Sequence, residues 1–361
     1  DAACRRAVFY CFAFSSEQDC GILTLYEQDK GAGQAMKKIA IIGGIAADIE
    51  GRPRRELIAA DSNPGSVTIS YGGVSRNITE NLVRMGEQVV FFSVAGDDFI
   101  GRSAKAHLAS IGADVSEVRL LSEESTAIYL SILDQHGDMK LALCNMDILE
   151  RIDRTFLQHA AEKAKGAAMV GLDTNLTEED LEFVTEKLSG TPLFLDPVSV
   201  QKAQRVKKWI GRFHIVKPNL LEAEAISGIS IGRSENERSE KSEDLLRTAE
   251  WFLARGVRRL YLTMGENGVF FADEKEYGTL PAVKPQIVSA TGAGDAFSAA
   301  CVKAGLDGMN IRESALTAMS ASLLAMEARE AVNPAMSAEN LRARREVLRE
   351  KLQNSGTEGR W

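Results

Sequence analysis

Short apolar runs recur along the chain: "KIAIIG" 38–43, "VVFFSV" 89–94, "AAMVGL" 167–172, "PLFLD" 192–196, "FHIVKP" 213–218 and "RLYLTMG" 259–265. Runs this short and this continuously apolar predict strands buried on both faces. Amphipathic stretches between them predict helices near 74–86, 99–111, 155–165, 178–189, 200–211, 220–227 and 242–256. Further helical patterns lie near 294–305, 310–329 and 337–352. Strands alternating with helices predict an α/β fold, a mostly parallel sheet covered on both faces.

Two stretches break this rhythm. "GSVTISYGG" 65–73 and "STAIYLSILDQHGDMKLALCNMD" 125–147 alternate apolar and polar residues, the second with "QHGD" as a hairpin turn. They predict a small antiparallel β lid, from about 48–73 and 122–147. Ligands sit at the carboxyl ends of parallel strands, so a lid there would exclude water. "GRSENERSEKSED" 232–244 reads as a polar, mobile connection.

Residues 1–35 read differently and hold three of the five cysteines. The expectation is that they are a leader outside the fold, with Met36 the natural start, the fold over 36–353 and a tail over 354–361.

Composition narrows the function classes. The net charge of −8 disfavours a nucleic-acid binder. The basic runs Arg205–Arg212 and Arg342–Arg349 read as solvated helix faces. No cysteine pair has CxxC spacing and the four histidines are scattered, so neither a zinc site nor a disulfide framework is expected. A reducing, cytoplasmic setting fits. No apolar stretch is long enough to span a membrane.

The chemistry concentrates in a few motifs. In "SATGAGDAFS" 289–298, Gly292 and Gly294 permit a tight turn into a helix, whose first amides and positive dipole end favour an anion. Asp295 beside that anion would be repelled, unless it takes a proton from a hydroxyl attacking it. Phosphoryl transfer needs that arrangement. The plainer reading is a glycine turn capped by an aspartate. "GGVSRN" 72–77 sets two glycines before a helix carrying Asn77, or is simply a turn. "KPNLLEAE" 217–224 makes Asn219 a helix cap with Glu222 three residues on, or places both near a Mg²⁺ through its waters. "TMGENG" 263–268 shapes a nucleotide-phosphate shelf or a hairpin turn. "IIGGIAAD" 42–48 presents Asp48 to sugar hydroxyls, or is a loop with a solvated aspartate. It lacks the GxGxxG of a dinucleotide fold, which counts against an NAD-dependent oxidoreductase.

In this order the motifs resemble the ribokinase-like family of sugar and nucleoside kinases, also called the phosphofructokinase B family, over about Met36 to the C-terminal helix. The resemblance implies a three-layer α/β/α core with a β lid. It implies Asp295 as base, Gly292, Ala293 and Gly294 as anion hole, and Asp48, Gly72, Gly73 and Asn77 around the sugar. Thr263, Gly265 and Gly268, with Asn219, Thr291 and Asn333, would serve ATP, and Asn219 and Glu222 its Mg²⁺. Lid sheets in this family often pair, so a homodimer is expected. "GGIAADIEGRP", "TAIYLSILDQHGDMKLAL", "DTNL" and "LDPVSVQKA" further resemble pseudouridine kinases. That implies transfer to the 5′-hydroxyl of pseudouridine, with Thr126, Asp173 and Asn175 near the nucleoside. One departure is Ser289, where many members carry an aspartate that helps bind a monovalent cation, which puts K⁺ activation in doubt. Asn145 stands where an acidic residue is expected. The alternatives are a kinase for ribose or another nucleoside, and a non-catalytic sensor, against which Asp295 argues.

Overall fold

The apolar runs form strands of one central sheet, described here from a computed structural model over residues 38–232, 238–283 and 287–354. The expected leader over 1–35 lies outside the described residues, as does all of the expected tail beyond 354. In chain order the elements are β1 (Ile39–Ile42), β2 (Ala46–Pro53), β3 (Gly65–Gly72), α1 (Val74–Arg84), β4 (Val89–Gly96), α2 (Phe99–Ser110), β5 (Val118–Leu121), β6 (Ala127–Leu133), β7 (Met139–Asn145), α3 (Arg154–Ala164) and β8 (Met169–Asp173). There follow α4 (Glu178–Lys187), β9 (Leu193–Asp196), α5 (Val200–Ala203), β10 (Ile215–Val216), α6 (Leu220–Ser227), α7 (Arg238–Leu253), β11 (Arg259–Thr263), β12 (Val269–Asp273), β13 (Tyr277–Leu280), α8 (Ala293–Leu306), α9 (Ile311–Ala325) and α10 (Ala338–Asn354).

The main sheet runs β13-β12-β11-β10-β9-β8-β1-β4-β5. It is parallel from β11 to β5, with β12 and β13 antiparallel at one edge. Alternate residues of each strand enter two separate cores. Ile39, Ile41, Phe91, Phe194 and Tyr261 pack with α1, α2, α8, α9 and α10 on one face. Ala40, Ile42, Phe92, Leu195 and Leu262 pack with residues of α3 to α7 on the other. Period-two alternation between two apolar faces makes these strands read as unbroken apolar runs. The chain leaves β1 to build β4 and β5 on one side, then returns to build β8 on the other, which puts the topological switch beside Gly43 and Gly44. A crevice for ligand is expected at such a point.

The lid, the stretch 200–211, Arg205 and the connection after 232 each differ from expectation. The lid is a four-stranded sheet, β3-β2-β6-β7, but it is mixed: β2 and β6 run parallel. The cause is that β2 continues from β1 through the Gly43–Gly44 turn, so Asp48 stands on a strand and not in a loop. The stretch 200–211 is not one helix. It breaks into α5 and 3-10 turns at Gln204–Val206 and Ile210–Arg212. Arg205 there is no solvated residue: its Nη1 donates to the carbonyls of Thr174, Asn175 and Leu176 at 2.9, 3.3 and 3.0 Å. It clamps the loop after β8. The polar connection over 232–244 is helical from Arg238, and 233–237 lie outside the described residues.

Register divides the lid into unlike faces. Ile49 pairs with Ile69 and Leu130, Leu130 with Leu143, and Ile132 with Leu141. This face is apolar, and Val67, Ile69 and Leu143 on it are 71%, 66% and 62% exposed. Asp48 pairs with Ser70 and Tyr129 on the polar face. The carboxylate of Asp48 turns back over Gly72, at the end of β3.

Candidate active site

The "TGAGD" motif folds as its residues require. Gly292 caps α8 at φ 76°, and a Cβ there would lie 1.7 Å from the carbonyl oxygen of Ala331. Only glycine meets both conditions. The Ala293 amide donates to Ala290 O at 3.4 Å, and with no side-chain cap the amides of Gly294 and Asp295 are left as donors at the start of α8. Asp295 is the third residue of α8 and half-buried.

The Asp295 carboxyl is pushed up to about 7. Burial is the main cause, followed by the negative charge of Asp196. The amide of Asn77, donating from Nδ2 to Oδ2 at 2.7 Å, and the ammonium of Lys217 oppose the rise. A carboxyl poised near neutrality suits a general base.

Asn77 arrives from α1, which begins directly after Gly73. Gly72, Gly73 and Asn77 therefore share one corner with Asp48. A Cβ on Gly72 would lie 2.4 to 2.6 Å from the carboxylate atoms of Asp48. Burial raises Asp48, and the guanidinium of Arg76 opposes it. This corner and the N-terminus of α8 meet through the Asn77–Asp295 hydrogen bond, joining residues distant in sequence.

Sequence reasoning missed Lys217 and Asp196. Lys217 Nζ lies 3.1 Å from Asp196 Oδ2, and Ser298 Oγ of α8 donates to the same oxygen at 2.7 Å. Burial works against the charge on Lys217, but Asp196, Glu222 and Asp295 outweigh it and hold the ammonium above its ordinary value. Asp196 ends one buried strand and Lys217 directly follows another, each a charge after an apolar run, which is the signal that could have found them. Asp196 also pairs in register with Asp173, so two strand ends present carboxylates together.

The capping reading of "KPNLLEAE" is realised. Asn219 Oδ1 accepts from the Glu222 amide and Glu222 Oε2 from the Asn219 amide, both at 2.9 Å. Burial raises the Glu222 carboxyl. Asn219 forms an isolated parallel bridge with Thr263, which brings this turn beside the 263–268 segment. That segment is the hairpin turn between β11 and β12, with Gly265 exposed and Thr263 and Gly268 half-buried. Thr291 is exposed, and its amide donates to Ser289 Oγ at 3.2 Å. Among the described residues no three His, Cys, Asp or Glu side chains form a metal cage. Mg²⁺ needs none where phosphates and waters fill its sphere.

Three residues expected near ligands have protein partners for their polar atoms. Thr126 is 1% exposed: its hydroxyl donates to Asp98 Oδ1 at 2.8 Å and accepts from the Gly96 amide at 3.0 Å. It braces the entry to β6. Asn333 is buried too, donating to Leu324 O at 2.6 Å and accepting from the Ala335 amide at 2.8 Å. It braces the loop whose Ala331 carbonyl packs on Gly292. Asp173 has no exposed surface and is held by Ser75 Oγ at 2.6 Å and the Asn175 amide at 2.8 Å. It lies behind Gly43 and acts on the crevice through its charge. Asn175 remains half-buried, with Oδ1 accepting from Lys202 at 2.6 Å.

Comparison with known proteins agrees with this geometry. A family model described as pfkB family carbohydrate kinase matches residues 36–338. Pseudouridine kinase of Escherichia coli (strain K12) is 35% identical over 305 residues, covering 84% of this chain and 95% of that protein. Guanosine-inosine kinase of Exiguobacterium acetylicum is 28% identical over 269 residues, covering 73% and 86%. The structure of Arabidopsis thaliana ribokinase complexed with ribose and ATP aligns with a TM-score of 0.70 over 86% of this chain and 99% of that one. At 18% identity it shows the shared fold. The chain belongs to the pfkB family of carbohydrate kinases.

Proposed function

We propose that this kinase transfers the γ-phosphoryl group of Mg·ATP to the 5′-hydroxyl of pseudouridine, with Asp295 as general base. The observation that carries the reading is Asp295 itself: a carboxyl poised near 7, bonded to Asn77, on the first turn of a helix with no side-chain cap. The 35% identity to a pseudouridine kinase over most of both chains supports the choice of acceptor.

In this reading the ribose lies between Asp48 and Asn77 under the polar face of the lid, and the nucleotide along 263–268. Asp295 takes the hydroxyl proton as the phosphoryl group moves in line. The amides of Gly292, Ala293, Gly294 and Asp295 stabilise the growing charge. Lys217 adds a buried cation beside them. Bound Mg²⁺ neutralises phosphate charge, and Asn219 and Glu222 would hold it through water. Thr126 and Asn333 serve as braces and not as contacts. Asn175 is the residue left to approach the base. The apolar lid face fits a second copy of this chain, and we assign the homodimer to it. Among the described residues no helix is long and apolar enough to cross a membrane. The free thiols Cys144 and Cys301 would persist in a reducing cytoplasm.

The test is ADP release from Mg·ATP with pseudouridine, uridine, inosine, guanosine and ribose at equal concentration. Preference for pseudouridine is expected. Preference for another acceptor would keep the Asp295 chemistry and overturn the substrate. No turnover with any of them would favour a sensor.

A further inference from the structure

Asn77 holds the base through one amide, and an amide has two ends of opposite character. Nδ2 donates and Oδ1 accepts, and the two nearly superimpose when the group flips. A flipped Asn77 would set its oxygen against the Asp295 carboxylate. Something must fix the orientation, and the neighbouring residue does so. Arg76 is 3% exposed, and its Nη1 donates both to Asn77 Oδ1 and to the carbonyl of Tyr71, the latter at 3.0 Å. Its Nη2 donates to Glu80 Oε2 one turn along α1. Glu80 Oε1 is held in turn by Arg84 at 2.7 Å and by His107 of α2 at 3.1 Å. The guanidinium also lies 5.5 Å from the centre of the Tyr71 ring.

We propose that Arg76 is a positioning residue for the base: by pinning Oδ1 of Asn77 it leaves only the amide protons to face Asp295. This rests on the reading of Asp295 as the base. A guanidinium donates and never accepts, so Oδ1 is the only end of Asn77 that can meet it. The planar fork reaches Asn77 and Glu80 together, which a lysine ammonium could not do with the same geometry. The motif thus encodes more than two glycines and an asparagine, because its arginine decides which end of the asparagine is used.

The charged groups around this relay are few. Arg76 faces Glu80, Asp48, Asp295 and Arg84. Asp295 faces Asp196, Asp173 and Lys217. Removing Arg76 takes a cation from this set and frees Asn77 to flip, and both changes make Asp295 harder to ionise. The loss of activity must therefore depend on pH. A hydrogen bond to a charged group is worth roughly ten-fold or more.

The experiment compares kcat/KM for the preferred acceptor in the full chain, wild type against Arg76→Gln, at pH 7 and pH 9. The expected ratio to wild type is about one-tenth at pH 7 and within about two-fold at pH 9, with KM for ATP unchanged. Arg76→Lys should recover only part of the loss. Arg76→Met/Glu80→Met removes the orphaned carboxylate as well, and carries the same test should the single variant not fold. An equal loss at both pH values, or none, would overturn the positioning role. Full activity of Asp295→Asn would instead overturn the base on which it rests, so the two failures are told apart.

Discussion

Replacing Asp295 by asparagine should destroy activity and stabilise the fold, and the pH dependence of the second effect is the sharper test. The side chain keeps its shape, and its oxygen can still accept from Asn77 Nδ2, now at 2.7 Å. What disappears is a carboxylate forced to ionise beside Asp196 and Asp173. The folded-state value is raised from 3.8 to about 7. Below pH ~4 the group is neutral in both folded and unfolded chains and contributes nothing. Between these values the folded chain keeps a proton that the unfolded chain has lost, so stability falls as pH rises, and above 7 the penalty is complete. At ~1.4 kcal/mol per pH unit the ceiling is ~4 kcal/mol. The half-buried side chain meets water, and screening brings the expected penalty to ~1–2 kcal/mol. The dipole of α8 favours the carboxylate by only ~0.5 kcal/mol, too little to reverse the sign. Urea unfolding of Asp295→Asn and wild type, at pH 4.5 and pH 8, measures the difference. The variant should match wild type at the lower pH and exceed it by ~1–2 kcal/mol at the higher. Its kcat should fall by ~10²–10⁴-fold. A variant no more stable than wild type at pH 8, or equally stabilised at both pH values, would refute the strained carboxylate.

Three further substitutions follow from the same geometry. Gly292→Ala forces a Cβ to 1.7 Å from Ala331 O at positive φ, and should cost ~3 kcal/mol by thermal unfolding while lowering kcat at least ~10²-fold. Gly72→Ala meets first the movable Asp48 carboxylate, so the fold should persist. KM for the acceptor should then rise ~10-fold or more in steady-state assays, with KM for ATP unchanged. Thr126→Val removes the brace to Asp98 and Gly96, and should lose ~1–2 kcal/mol of stability without altering the ranking of acceptors. A changed ranking would return Thr126 to the nucleoside site.

Much of this was legible in the chain because local chemistry and fold agreed. The helix over 220–227 was readable to the residue, since Asn219 and Glu222 cap it reciprocally and Gly228 ends it in the left-handed conformation. The glycine turn of α8 was readable because no other residue suits its backbone. What escaped depended on partners distant in sequence. Nothing local in "AADIEGRP" says that β2 will run parallel to β6. Arg205 looked like a surface cation because the carbonyls it clamps lie about thirty residues upstream. Thr126, Asp173 and Asn333 were placed near ligands by resemblance, yet each spends its polar atoms on the protein itself. Lys217 and Asp196 hide in the opposite way. Each sits beside a proline at a strand end, and only their meeting in space shows a buried ion pair beside the start of α8.

The most direct test of the account is the ³¹P NMR spectrum of the product formed from Mg·ATP and pseudouridine by the wild-type chain. One phosphomonoester is expected, coupled to the two C5′ protons, and none with Asp295→Asn over the same time. A phosphate on another hydroxyl, release of inorganic phosphate alone, or equal product from the variant would contradict it.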